Sequence, residues 1–193
     1  MLKPATAERL TFFSDGVFAV IITILALDLR PPHGHAWSDF LHLWPTAVSY
    51  AASYLFVAIV WVNHHHLMRF TEDASTRLIW SNFAHLFSVS LVPFSTSWMA
   101  ESRMESVPVS VYAAVFVLVN LTYIALCFEA IFKHATEKIS PRARRMMRIR
   151  SLISLGVFAA AAIIANWVPL LGFGLIFACL IVYTRPDAFD AAA

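Results

Sequence analysis

An acidic side chain stands inside a strongly apolar stretch near the start of the chain. Asp15 follows Ser14 and is enclosed by phenylalanine, valine and isoleucine residues. A carboxylate in such surroundings is costly unless polar groups compensate it, so it marks a functional site by default. Arg9 lies six residues earlier and would point to another side of a helix. We therefore expect the partners of Asp15 on other segments.

Polar residues also occur at the end of the second apolar segment and at the start of the third. If the segments cross a membrane, these residues lie at the same depth as Asp15. They are Asn63, His64, His65 and His66 on the second segment, and Asn82 and His85 on the third. We expect Ser14, Asp15, Asn82 and one or two of the histidines to form a polar cluster. Such a cluster either fixes helix packing or takes part directly in the movement of ions or protons.

Three consecutive histidines suggest a metal site at first sight. Neighbouring residues on a helix point about 100° apart, so three in a row do not converge on one ion. The chain also lacks a His-x-x-x-His spacing. We expect these histidines at an interface or in a polar network, with no bound metal and no resident cofactor.

The upper part of the first apolar segment carries a regular apolar stripe. Val20, Ile24 and Leu27 stand at positions i, i+4 and i+7, which is one face of a helix. Thr23 lies beside that face. The pattern alone favours a seam between helices. The alternative is a pore lining, in which rings of apolar side chains from several subunits form a narrow constriction that sheds water.

The sequence lacks the common motifs of enzymes and of one channel class. GxSxG, HExxH, Walker A and GxGxxG are all absent, and so is the TVGYG carbonyl filter. Cys127 and Cys179 both lie in apolar runs without a CxxC spacing, so they are expected to pack as small hydrophobic residues. We expect a protein that is not an enzyme.

The composition places these residues in a membrane protein. Of 193 residues, 60% are hydrophobic and only 13% are charged, and the mean hydropathy is +0.70. Soluble domains carry about 25% charged residues, so this chain has too little charge to cover a globule. The sequence therefore predicts an all-α, polytopic membrane protein that forms a single domain over residues 1–193.

Six apolar segments have the composition of membrane-spanning helices. They cover residues 10–29, 44–62, 78–99, 107–128, 152–166 and 169–183. The last two are short and are joined by a tight turn at residues 166–169.

Charge asymmetry predicts the orientation of these segments. Twelve cations fall on the side of the two termini, at Lys3, Arg9, Arg69, Arg77, Lys133, Lys138, Arg142, Arg144, Arg145, Arg148, Arg150 and Arg185. Only Arg30 and Arg103 fall on the other side. Positive residues prefer the cytoplasm, so both termini are predicted there. The basic run at 133–150 is explained by this rule; contact with anionic lipid is a possible addition, and nucleic acid is not an expected partner.

The first segment also resembles a known family. The residues that carry the resemblance are Arg9, Phe13, Ser14, Asp15, Gly16, Val17, Phe18, Ala19 and Thr23, followed by Trp61, His64 and His65, and then by Asn82, Pro93 and Phe94. This pattern is similar to the first-helix signature and the following spans of the transmembrane protein 175 family of potassium channels. A single copy of the signature matches the six-span bacterial branch.

The resemblance implies a homotetramer in which the first helix of each subunit lines a central pore. It places the constriction on Val20, Ile24 and Leu27, and it gives Thr23 a part in potassium preference. It also implies that Arg9, Ser14, Asp15 and either His64 or His65 form a network that holds the pore helix. The chain departs from the family at Val20, where isoleucine or leucine is expected, and in its third histidine.

These inferences converge on a potassium-preferring cation channel of a bacterial inner membrane, with potassium as the permeant ion. The resemblance thereby turns the Val20, Ile24 and Leu27 stripe from a seam into a pore face. The alternative from another class is a proton-coupled transporter in which Asp15 and the membrane histidines relay protons. Transporters usually contain internal repeats, and this sequence shows none.

Overall fold

The computed structural model describes residues 7–71, 74–132 and 140–184, and these ranges are helical apart from short connections. The helices are α1 (Ala7–Leu27), α2 (Trp37–Leu41), α3 (Trp44–Met68), α4 (Thr76–Ser90), α5 (Val92–Glu101), α6 (Ser106–Cys127), α7 (Pro141–Ile164) and α8 (Pro169–Tyr183). α6 continues into a wider π-helical turn at Phe128–Phe132. The prediction of an all-helical membrane protein is confirmed.

Five segments of the described chain are long and apolar enough to cross a membrane: α1, α3, α4 with α5, α6 with its π turn, and α7. α8 has 15 residues, which corresponds to about 22 Å at 1.5 Å per residue. That length is short of the roughly 30 Å hydrocarbon core of a bilayer.

The third predicted segment, 78–99, is two helices that meet at Leu91. Pro93 stands at the start of α5, where its missing N–H needs no partner. Inside one continuous helix the same proline would remove a hydrogen bond and crowd the preceding turn. The chain therefore ends α4 at Ser90 and starts a new helix.

The fifth predicted segment, 152–166, is the second half of a much longer helix. α7 begins at Pro141 and has 24 residues. The Ser140 Oγ accepts a hydrogen bond from the backbone N–H of Ala143 at 3.2 Å and caps the first turn. The arginines lower the hydropathy of the first half of α7, so the predicted membrane segment leaves it out. Arginine is nevertheless a good helix former.

The apolar core contains buried residues of α1 and of α3 to α8, and an aromatic cluster within it lies between α3, α6 and α7. The rings of Phe56 and Phe116 stack with centroids 3.5 Å apart, and the ring of Phe158 meets Phe116 edge-on at 5.4 Å. α8 folds back on α7, and Gly172 permits this approach because a Cβ there would lie 2.8 Å from the carbonyl oxygen of Ala161. α1 packs on α3, α4 and α5 and contributes Phe18, Ile21 and Leu25 to this core.

Candidate pore helix and polar network

One face of α1 is buried against its own subunit. Its members recur at helical spacing and are Ala7, Leu10, Ser14, Phe18, Ile21 and Leu25. Phe18 is 1% exposed, and its ring lies 5.5 Å from the ring of His64 on α3. This face fixes the rotation of α1 about its own axis.

An adjacent face of α1 is open in the subunit. Val20 is 56% exposed, Ile24 42% and Leu27 79%, whereas Ile21 on the packed face is 3% exposed. Thr23 is exposed beside them, and its hydroxyl donates a 2.7 Å hydrogen bond to the backbone carbonyl of Val20. The apolar stripe found in the sequence is therefore not a seam between helices of one described subunit.

Three buried side chains connect α1, α3 and α4 through hydrogen bonds. Nε2 of His64 lies 2.7 Å from Oδ1 of Asn82, and Nδ2 of Asn82 donates to the Ser14 Oγ at 3.0 Å. The Ser14 hydroxyl in turn donates to the carbonyl of Leu10 at 2.8 Å. Because the Asn82 oxygen only accepts, His64 carries its proton on Nε2. Each residue of this chain then donates a hydrogen bond to the next, from α3 through α4 to α1.

Asp15 lies outside this chain of hydrogen bonds. Its Oδ1 accepts a 2.8 Å bond from the indole Nε1 of Trp61, on α3. The ring of His65 lies 5.5 Å from that indole, and among the described residues no hydrogen bond joins His65 to Asp15. Arg9 is exposed on the first turn of α1 and forms no hydrogen bond or ion pair with the described residues. The structure thus joins Ser14, His64 and Asn82 and sets Asp15 and Arg9 apart from them.

The three histidines diverge, as their spacing on a helix requires. His64 points into the subunit and is fully buried. His65 lies beside Trp61. Nδ1 of His66 contacts the carbonyl oxygen of Val62 at 2.7 Å, one turn earlier on the same helix.

Two further buried polar clusters were not found in the sequence. His85 Nδ1 lies 3.2 Å from the Thr122 hydroxyl, which also contacts the Ser88 hydroxyl at 2.7 Å, so α4 is joined to α6. The rings of His85 and His64 are nearly parallel, with centroids 6.0 Å apart. The second cluster joins α3, α5 and α6 and consists of Ser53, Thr96 and Tyr112. Hydroxyl residues inside apolar segments were the available signal, but one sequence does not say which segments are neighbours.

Comparison with known proteins identifies the family. The sequence model described as endosomal/lysosomal potassium channel TMEM175 matches residues 9–93, which contain most of α1 and all of α2, α3 and α4. A potassium channel of Streptomyces collinus is 36% identical over 160 residues, which cover 77% of this chain and 77% of that protein. The chain belongs to the TMEM175 family. The resemblance carried by the first helix is confirmed.

The TMEM175 relationship extends over almost the whole chain. A potassium channel of Chryseobacterium sp. is 29% identical over 182 residues, which are 94% of each protein. The crystal structure of a lysosomal potassium-selective channel TMEM175 homologue from Chamaesiphon minutus matches with a TM-score of 0.81. The two chains are 26% identical, and the match covers 92% of this chain and 96% of the other. The protein is a multi-pass membrane protein with the TMEM175 fold.

Proposed function

We propose that this chain forms a potassium-preferring cation channel, assembled as a homotetramer around four copies of α1. The names of its bacterial relatives support potassium as the permeant ion. A closed ring of identical subunits is the common way in which several copies of one helix surround an axis.

The observation that carries this proposal is the division of α1 into a packed face and an open face. On the packed face Ser14 takes part in the buried hydrogen bonds to the subunit, while Val20, Ile24 and Leu27 remain uncovered by the described chain. These three residues extend over about 10 Å of helix at 1.5 Å per residue. Four copies around an axis form successive apolar rings, which make a narrow neck that loses water readily.

The polar network gives the neck its geometry. Hydrogen bonds from His64 through Asn82 to Ser14 hold the inner half of α1 against α3 and α4. With its rotation fixed at one end, α1 presents the same stripe to the axis in each subunit. Thr23 then adds a ring of hydroxyl groups between the rings of Val20 and Ile24. We assign the potassium preference to that hydroxyl ring, since the neck offers no carbonyl filter.

The same proposal sets the location and the orientation. The excess of cations on the side of the termini places both termini in the cytoplasm, and bacterial relatives support the inner membrane. The basic residues Lys3, Lys133, Lys138 and Arg185 that enter this argument lie outside the described residues.

Flux measurements on the purified protein test the proposal. In potassium-loaded liposomes we expect passive, potential-driven efflux that grows with protein content, against a control of protein-free liposomes. Saturable flux that requires a pH gradient would favour the proton-coupled transporter instead. Mass measurement in mild detergent is expected to give four chains, and a monomer or dimer that still conducts would exclude the pore built from α1.

A further inference from the structure

The short helix α2 and the first residue of α3 carry an apolar stripe that the described chain leaves mostly exposed. Four large side chains recur at positions i, i+3, i+4 and i+7, which form one face of a helix; they are Trp37, Phe40, Leu41 and Trp44. Their exposed fractions are 82%, 59%, 67% and 51%. None of the four belongs to the buried apolar core of the described residues. The stripe therefore has no partner within the subunit.

The other side of α2 is polar. It carries Ser38, Asp39 and His42, at positions where 100° per residue turns the side chains away from the stripe. Oδ2 of Asp39 accepts a 3.0 Å hydrogen bond from the backbone N–H of Ala36, which holds this side against the preceding loop. Gly34 makes room for the carboxylate, since a Cβ at that position would overlap the same oxygen. The rotation of α2 is thus fixed with the stripe outward.

α2 is attached directly to a membrane-spanning helix. Only His42 and Leu43 separate it from α3, which is long and apolar enough to cross a membrane. Pro45, in the first turn of α3, has no N–H for the carbonyl of Leu41 and so ends the continuous helix. α2 therefore lies at the level where this span enters the membrane.

The apolar surface of the stripe continues onto α3. A groove of about 630 Å³ lies beside it, and its lining includes Phe40 and Leu41 together with Ala47 and Val48 of α3. Arg30 is the one charged residue of the described chain that lines this groove. Because the stripe and the exposed start of α3 form one apolar surface, the same apolar medium is expected to cover both.

We propose that α2 lies in the interface of the bilayer, with its stripe inserted between the lipids and its polar side toward water. Interfacial helices bury their apolar face about 5–10 Å into the boundary of head groups and acyl chains. Tryptophan is enriched at this level, and the stripe begins and ends with one. The indole N–H groups of Trp37 and Trp44 donate to no described residue, which suits a level where water and lipid oxygens accept hydrogen bonds.

The partner is the lipid interface itself and not an anionic head group, because α2 contains no lysine or arginine. Site-directed fluorescence in phosphatidylcholine vesicles tests this placement. A cysteine is introduced on the stripe by Phe40→Cys, or on the polar side by the matched control Ser38→Cys, in a background without Cys127 and Cys179. Each cysteine is labelled with an environment-sensitive dye.

The two sites should respond in opposite order. The dye at position 40 should show blue-shifted emission, strong quenching by lipids that carry a nitroxide next to the head group, and weak quenching by aqueous iodide. The dye at position 38 should be quenched by iodide and little by the nitroxide lipid. Leu41→Cys should repeat the first result and His42→Cys the second, which controls for local disturbance by one label.

Three results would overturn the proposal. Strong iodide quenching at positions 40 and 41 would leave α2 in water. Protection of both positions from both quenchers would mean that protein covers the stripe, with a second copy of the chain as the first candidate. Stronger quenching by a nitroxide at the end of the acyl chain than by one next to the head group would place α2 in the hydrocarbon and not at the interface.

Discussion

The indole Nε1 of Trp61 donates a 2.8 Å hydrogen bond to Oδ1 of Asp15. This bond joins the N-terminal half of α1 to α3, in parallel with the buried bonds of Ser14, Asn82 and His64. An indole N–H only donates, so the Asp15 oxygen is the acceptor of this bond. Asp15 thus accepts a hydrogen bond that links α1 to α3.

Removing this donor should destabilise the protein measurably. Trp61→Phe leaves the carboxylate of Asp15 without its indole partner, and we expect the free energy of unfolding to fall by about 1–2 kcal/mol. Asp15→Ala, which removes the acceptor, should cost a similar amount, and the double variant should cost less than the sum, because both changes remove the same interaction. Chemical unfolding in detergent measures these values. Trp80→Phe is the control, since Trp80 is 70% exposed; strict additivity would show that the bond contributes nothing.

Asn82 should matter more than Asp15, because it is fully buried and bridges two helices. Asn82→Ala leaves Nε2 of His64 without its acceptor and removes the donor to Ser14, which keeps its bond to the carbonyl of Leu10. An orphaned buried group costs about 1–3 kcal/mol. We expect a loss of several kcal/mol or a loss of assembled protein. Size-exclusion chromatography followed by thermal unfolding measures both outcomes.

The matched control for this change is Asn63→Ala. Asn63 lies directly before His64 on α3, and the structure gives its side chain no hydrogen bond within the described ranges. It should leave assembly and stability nearly unchanged. If the two variants behave alike, the Ser14, Asn82 and His64 chain does not hold α1 in place.

The sequence was sufficient for the helical class and for Ser14, Asn82 and a histidine as neighbours. Depth in the membrane can be counted along each segment, so residues at equal depth are natural candidates for contact. Rotation about each helix axis is not encoded so directly. That is why Asp15, one residue after Ser14 and about 100° around the helix, was assigned to the histidines and instead meets Trp61.

The predicted helix limits differ from the observed ones where charge and hydropathy disagree with helix propensity. The arginines of residues 142–150 ended the fifth predicted segment early, yet the helix begins at Pro141. At Pro93 the error has the opposite sign. The apolar pattern is uninterrupted and predicts one segment, whereas the structure has two helices that meet at Leu91. Both differences arise because backbone hydrogen bonding sets helix ends, whereas apolar composition sets only what the membrane accepts.

Membrane orientation can be tested with cysteine labelling in a background without Cys127 and Cys179. Ser38 is exposed in the connection between α1 and α3, and Ser38→Cys should react with an impermeant thiol reagent on intact cells. Arg142→Cys, at the start of α7, should react only after the membrane is permeabilised. The reverse pattern would place the termini outside and would overturn the orientation deduced from the cations.

Thr23 should determine ion preference more than conductance. Its hydroxyl lies on the open face of α1 and already donates to the carbonyl of Val20, which leaves its lone pairs available as acceptors. Thr23→Ala removes that oxygen, so the potassium-to-sodium permeability ratio from reversal potentials should fall more than the total current. Thr23→Ser retains the hydroxyl and should restore most of the preference. An unchanged ratio in Thr23→Ala would exclude the hydroxyl ring as its source.

The constriction gives the most direct test of the pore face. An ion that passes a ring of Ile24 side chains sheds water and receives no ligands in return, which makes a barrier. Ile24→Asn has similar bulk and supplies one carbonyl and one amide per subunit. Water should then fill the neck, and single-channel conductance should rise.

Ile21 provides the matched control for this change, because it lies on the same helix but on the packed face. It is 3% exposed, against 42% for Ile24. Ile21→Asn buries an unpartnered amide inside the subunit, which costs about 1–3 kcal/mol, so it should lower the amount of folded protein without raising conductance. Unfolding temperature and single-channel recording on both variants separate the two effects. Higher current in Ile21→Asn, together with unchanged current in a well-assembled Ile24→Asn, would mean that α1 presents the other face to the ions.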